Sequence, residues 1–128
     1  MIEVERVDFV AVPTRDVERA KRFYGETLGL ELEKDSPAGA EYRAGQVTLG
    51  VWAPESQGMP FQPNLAGIAL RVPDVAEAMK KLEEAGVTFA FPEAYDSGVC
   101  HMAFFKDPDG NALILHHRHA PYADGTTP

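Results

Sequence analysis

Four histidines hold most of the proton-transfer and metal-binding capacity of this chain. His116, His117 and His119 lie together near one end, and His101 precedes them across the stretch Asp107-Pro108-Asp109-Gly110. Proline presets φ at the second turn position and glycine is favoured at the fourth, so that stretch reads as the turn of a β-hairpin. Counting outward sets Lys106 opposite Asn111, Phe105 opposite Ala112, Ala103 opposite Ile114 and His101 opposite His116. Opposed residues share a face, with Cβ atoms about 4.5–5.5 Å apart. An imidazole at His101 or His116 is then a candidate catalytic base or acid near neutral pH. Alternatively, the pair could ligate a divalent metal, with Glu93 or Asp96 as a third ligand. The plainer reading makes His116 the start of a surface run with His117, Arg118 and His119. A slip of one residue would move one histidine to the other face.

Two further side chains suit recognition. Arg71, at a strand end, can grip a carboxylate or phosphate bidentately. Tyr42, opposite Val47 in an earlier hairpin, offers a ring and a hydroxyl, or plain packing. Cys100 neighbours His101 and so points the other way, as a buried and inert thiol. No glycine-rich phosphate loop, nucleophile elbow or zinc-type Cys/His spacing is present.

The elements that must position these residues repeat. Val7 to Val12, closed by Pro13, reads as a strand, and Asp16 then opens a helix carrying Val17, Ala20, Phe23 or Tyr24, and Leu28 on one stripe. Strands follow at Leu30 to Glu33, Ala40 to Arg43 and Val47 to Trp52. The order recurs in Ala66 to Val72, a helix capped by Asp74 with Val75, Ala78, Met79 and Leu82, and strands at Val87 to Phe91, Val99 to Phe105 and Ala112 to His116. Each half is βαβββ. Module one spans about residues 4–53, a proline-rich linker 54–64, module two about 65–118, and a polar tail 119–128 is expected to fray. Neither half has strands enough to close a core alone, so one 128-residue domain is expected.

Composition narrows the partners. Twenty acidic against twelve basic residues give a formal net charge of −8, the reverse of what clustered phosphate contacts to nucleic acid require. No apolar stretch approaches membrane-spanning length, and the start, Met1 to Arg6, is acidic where a signal peptide is apolar. A single cysteine excludes an internal disulfide and suits a reducing cytoplasm. The expectation is a cytoplasmic protein with a small-molecule partner and neither nucleic acid nor membrane.

The duplicated pattern resembles the vicinal oxygen chelate superfamily of glyoxalase I, bleomycin-resistance proteins and extradiol dioxygenases. The run from Phe9 to Tyr24 with Leu28-Gly29-Leu30 carries the resemblance, together with the hairpin from Phe104 to Leu115. It implies an α+β fold in which two tandem βαβββ modules form one curved mixed-sheet cup with helices outside, and commonly a homodimer. It also implies a divalent metal held by His, Gln or Glu from the first and last strand of each module. Those positions are Phe9, Leu49, Gly67 and Ile114 here, and none offers a lone pair. The implied activity is therefore capture of a small organic molecule without the usual metal and with no cofactor. Phe9, Tyr42, Leu49, Val51, Arg71 and Ile114 would line the cup. The alternative is a metal-dependent lyase or dioxygenase whose site has shifted to His101 and His116.

Overall fold

The computed structural model describes residues 1–128, and the chain divides into two compact units, Met1–Asn64 and Leu65–Pro128. Each unit is a helix on one face of a four-stranded mixed sheet.

In the first unit, β1 (Phe9–Pro13) leads to α1 (Val17–Lys21), which widens into a π-type turn over Arg22–Thr27. The Asp16 side chain caps the helix by accepting from the Arg19 N–H at 3.0 Å. The Leu28 N–H reaches back five residues to the Phe23 carbonyl, the bond that defines the wider turn. Then come β2 (Glu31–Ser36), β3 (Gly39–Ala44) and β4 (Val47–Trp52), in the spatial order β1-β4-β3-β2 with β1 parallel to β4. Alternation puts Val10, Val12, Ala40, Tyr42, Leu49 and Val51 on the face under the helix. There they pack with Ala20, Phe23 and Tyr24, and all but Val10 are buried. Burying each large side chain stabilises by roughly 1.5–3 kcal/mol.

The second unit repeats the plan with β5 (Ile68–Arg71), α2 (Val75–Glu84), β6 (Tyr95–Asp96), β7 (Cys100–Lys106) and β8 (Ala112–Arg118), ordered β5-β8-β7-β6. Asp74 caps α2 by accepting from the Glu77 N–H at 3.0 Å. Val75, Met79 and Leu82 bury against Ala103, Phe105, Leu113 and Leu115. The α+β class and paired βαβββ modules expected from the sequence are present. The strand expected at Val87 to Phe91 is not: it contracts to one bridge, Phe89 to Phe105, and pairing resumes only at Tyr95. Pro92, which has no N–H for a ladder, interrupts it.

The β7–β8 register differs by one residue from the sequence expectation. The hairpin closes on Asp107 and Asn111, whose backbone bond is 2.9 Å, leaving Pro108-Asp109-Gly110 as the loop. Gly110 takes φ 88, the left-handed third residue of a bulged three-residue turn. Buried side chains lock this closure: Asp107 Oδ1 accepts from the Asp109 and Asn111 N–H groups, and Oδ2 from Asn111 Nδ2 at 2.7 Å. Lys106 therefore pairs with Ala112, Met102 with His116, and His101 with His117. The tail holds a turn of its own, with Arg118 donating to the Ala120 and Pro121 carbonyls and stacking over Tyr122.

Candidate functional site

The first unit carries a groove of about 520 Å³ on the sheet face away from its helix. Phe9 and Ala11 of β1, Gly50 and Trp52 of β4, and Gly39 of β3 point to that face. The floor is open because its centre is built from glycine and alanine. Phe9, 65% exposed, and the half-buried Trp52 stand as aromatic walls. Lys34, Ser36, Glu41, Ser56 and Gln57 supply a polar rim. An apolar floor with a few polar groups at the margin is the usual composition of a small-molecule site.

Strand alternation separates the expected binding residues. Phe9 lies in this groove. Tyr42 and Leu49 do not line it and Val51 only borders it: all three are buried residues of the alternation that faces the helix. The Tyr42 hydroxyl donates to the Lys21 carbonyl at 3.2 Å, and burial pushes its pKa up. The cause is the β3–β4 turn. Only Gly45 and Gln46 lie between the strands, with Gly45 at φ 66 in the pattern of a II′ turn, so Tyr42 pairs with Leu49 rather than Val47. In the second unit, Arg71 and Ile114 do share the face away from the helix with His116, Arg71 exposed and Ile114 half-buried.

His101 and His116 are not brought together. The one-residue shift places His116 beside Met102 on the open face and His101 beside His117 on the helix face. Cys100 correspondingly lies on the open face, opposite to expectation. His101 instead meets Asp96 and His119. Its Nε2 is 3.3 Å from Asp96 Oδ2, while His119 Nε2 is 3.0 Å from Asp96 Oδ1. The two rings lie 4.7 Å apart, tilted by 41°. The hydrogen bond from His119, and then that from the Gly98 N–H, hold the Asp96 carboxyl below the usual carboxylate range. His119 was obscured in the sequence by the basic run around it. Its signal was position: it follows the last paired residue of β8, where the chain folds back and its N–H bonds the Val99 carbonyl at 2.9 Å.

The metal positions of the resembled family can be placed by register. Phe9 pairs with Thr48 and Ala11 with Gly50, while Ala69 pairs with Ile114. The counterpart of Ile114 in the first unit is therefore Gly50, not Leu49. Phe9, Gly50, Gly67 and Ile114 carry no donor atom, so the residues present do not fit a metal at those positions. At Gly67 an added Cβ would press on Ile114 Cδ1 at 3.1 Å, with φ already at 88°.

Comparison with known proteins agrees with this architecture. The sequence model of the Glyoxalase/Bleomycin resistance protein/Dioxygenase superfamily matches residues 6–115. The antibiotic-binding protein TnmS3 from Streptomyces sp. CB03234 is 28% identical, with a TM-score of 0.76 over 92% of this chain and 99% of that one. A glyoxalase/bleomycin resistance protein from the same Streptomyces strain is 32% identical, with a TM-score of 0.70 over 88% and 100% of the two chains. The Bacillus subtilis protein YetH is 28% identical over 119 residues, covering 88% of this chain and 98% of its own.

Proposed function

The chain belongs to the glyoxalase/bleomycin resistance protein/dioxygenase superfamily, and on that premise we propose that it captures a small, flat, largely apolar organic molecule in the groove of its first module. One observation carries this reading: two positions where the family's metal ligands are expected, Phe9 and Gly50, are instead a wall and the floor of that groove. A ligand lying on the Ala11 and Gly50 floor would meet the Phe9 ring toward one end and the Trp52 ring toward the other. Lys34 and Glu41 at the rim would then discriminate by charge. The antibiotic-binding relative, similar over nearly its full length, supports capture of a small organic molecule.

Location and assembly follow from the same reading. No helix is long and apolar enough to cross a membrane, and the single thiol suits a reducing compartment, so the cytoplasm is the proposed site of action. A homodimer is proposed because the second module leaves two large apolar side chains open to solvent outside the groove, Phe91 and Tyr95.

Trp52 is the only tryptophan of the chain and lines the groove, so its fluorescence reports occupancy. Titration with anilinonaphthalene sulfonate and a panel of planar polycyclic antibiotics should give saturable quenching. Gly50→Leu should weaken it, because a Cβ at Gly50 meets only ordinary contacts, Phe9 Cδ2 at 3.8 Å and the Val10 carbonyl at 3.9 Å, while the longer side chain fills the floor. Truncating Arg71, on the other sheet, tests whether the second module contributes. Unchanged binding in Gly50→Leu would place the ligand elsewhere.

A further inference from the structure

We propose that Asp96, His101 and His119 form a binding site for one divalent transition-metal ion, separate from the groove of the first module and from the family's metal positions. The donors are two imidazole nitrogens and one carboxylate, a set that suits Zn²⁺, Ni²⁺ or Co²⁺. Their ligand atoms all lie within 4.8 Å of one another. The two nitrogen-to-carboxylate distances, 3.0 Å to Oδ1 and 3.3 Å to Oδ2, each come near the separation of about 3.3–3.4 Å between neighbouring ligands of a tetrahedral ion with bonds near 2.0–2.1 Å, although they end on different oxygens of Asp96. Rotation of the carboxylate to present one oxygen to both imidazoles, with the rings closing on it, would admit the ion.

Each donor is held by backbone pairing. Asp96 and His101 are register partners at the end of β6 and the start of β7. The link between them is tight: the Ser97 N–H bonds the Cys100 carbonyl at 3.0 Å, and Gly98 takes φ 87 while its N–H bonds Asp96 Oδ1 at 2.8 Å. Beyond β8 the His119 and Ala120 N–H groups both donate to the Val99 carbonyl, at 2.9 Å and 3.1 Å, which sets the His119 ring against His101. Three donors from three points of the fold thus converge without a long flexible segment. They open onto a cleft of about 470 Å³ bounded by Asp74 and Val75 at the start of α2 and by His117, leaving room for a non-protein ligand on the ion. His117 Nδ1 is 2.9 Å from the Val72 carbonyl, so its ring is anchored beside the cluster.

The competing account is a hydrogen-bonded cluster with no ion, and binding separates the two. Untagged protein, dialysed against chelator and then titrated with ZnCl₂ at neutral pH by calorimetry, should take up one equivalent per chain. Loss of affinity on the order of tenfold or more, equivalent to about 1.4 kcal/mol, is expected in His101→Ala, His119→Ala and Asp96→Asn. His116→Ala, on the opposite sheet face, should bind as the wild type does. Imidazole ¹H–¹⁵N spectra of the unmutated protein provide a reading that needs no variant: Zn²⁺ should shift His101 and His119 and leave His116 unmoved. Absence of stoichiometric uptake, shifts confined to His116 or His117, or wild-type affinity in both His119→Ala and Asp96→Asn would overturn the site.

Discussion

Lys21 is the residue on which the first module's helix is pinned to its sheet. Its ammonium lies 2.7 Å from Asp35 Oδ1 and donates to the Ser36 carbonyl at 2.9 Å, with its stem mostly covered. The hydrogen bond to Asp35 raises the Lys21 pKa, and the same bond lowers that of Asp35. The signs follow from linkage. Asp35, depressed in the folded state, contributes stability present above its unfolded pKa and lost as pH falls through the folded value. Lys21, raised in the folded state, contributes stability present below its unfolded pKa and lost as pH rises through the folded value. Asp35→Asn should therefore flatten both the acid limb near pH 4 and below and the alkaline limb near pH 10 and above. Urea midpoints measured across pH would show this; curves for the two proteins that run parallel would contradict it. Among core residues, Leu113, 1% exposed, should cost about 2–5 kcal/mol as Leu113→Ala. Chemical denaturation would measure that loss, and a change under 1 kcal/mol would mean that the site collapses around the deletion.

At the scale of elements, the hairpin turn decides which chemistry the second module can present. Asp107→Ala removes the acceptor of three hydrogen bonds and leaves buried Asn111 groups without it, a loss of about 1–3 kcal/mol. Equilibrium unfolding checks the figure, and a neutral effect would show that Pro108 and Gly110 alone hold the loop. Capping residues, helix stripes and turn locations were legible in the sequence because they depend on neighbours in the chain: Asp16 and Asp74 cap as expected. Register was not legible. It depends on which pair closes the loop, and here the buried Asp107–Asn111 contact adds one residue to a turn that Pro108 and Gly110 describe equally well either way. The same limit hid the orientation of β4. Leu49 and Gly50 are both plausible on an open face, and only the two-residue turn at Gly45-Gln46 decides between them. Gly39 shows a further constraint that the sequence does not announce, since a Cβ there would collide with the Val51 carbonyl.

For the whole molecule, the repeated βαβββ order and the family were recoverable from the sequence, whereas the location of the groove was not. The groove exists because Ala11, Gly39 and Gly50, small and chemically silent, fall on one face of one sheet. Sedimentation of the untagged chain should give twice the monomer mass, and Phe91→Glu should shift it toward monomer; a monomeric wild type would contradict the proposed dimer. The most direct test of capture in the first module is the Trp52 fluorescence titration, run in parallel on wild type, Gly50→Leu and Tyr42→Phe. Saturable quenching in the wild type, weakened on the order of tenfold or more in Gly50→Leu and preserved in Tyr42→Phe, is the predicted result. Equal affinity in wild type and Gly50→Leu would contradict it.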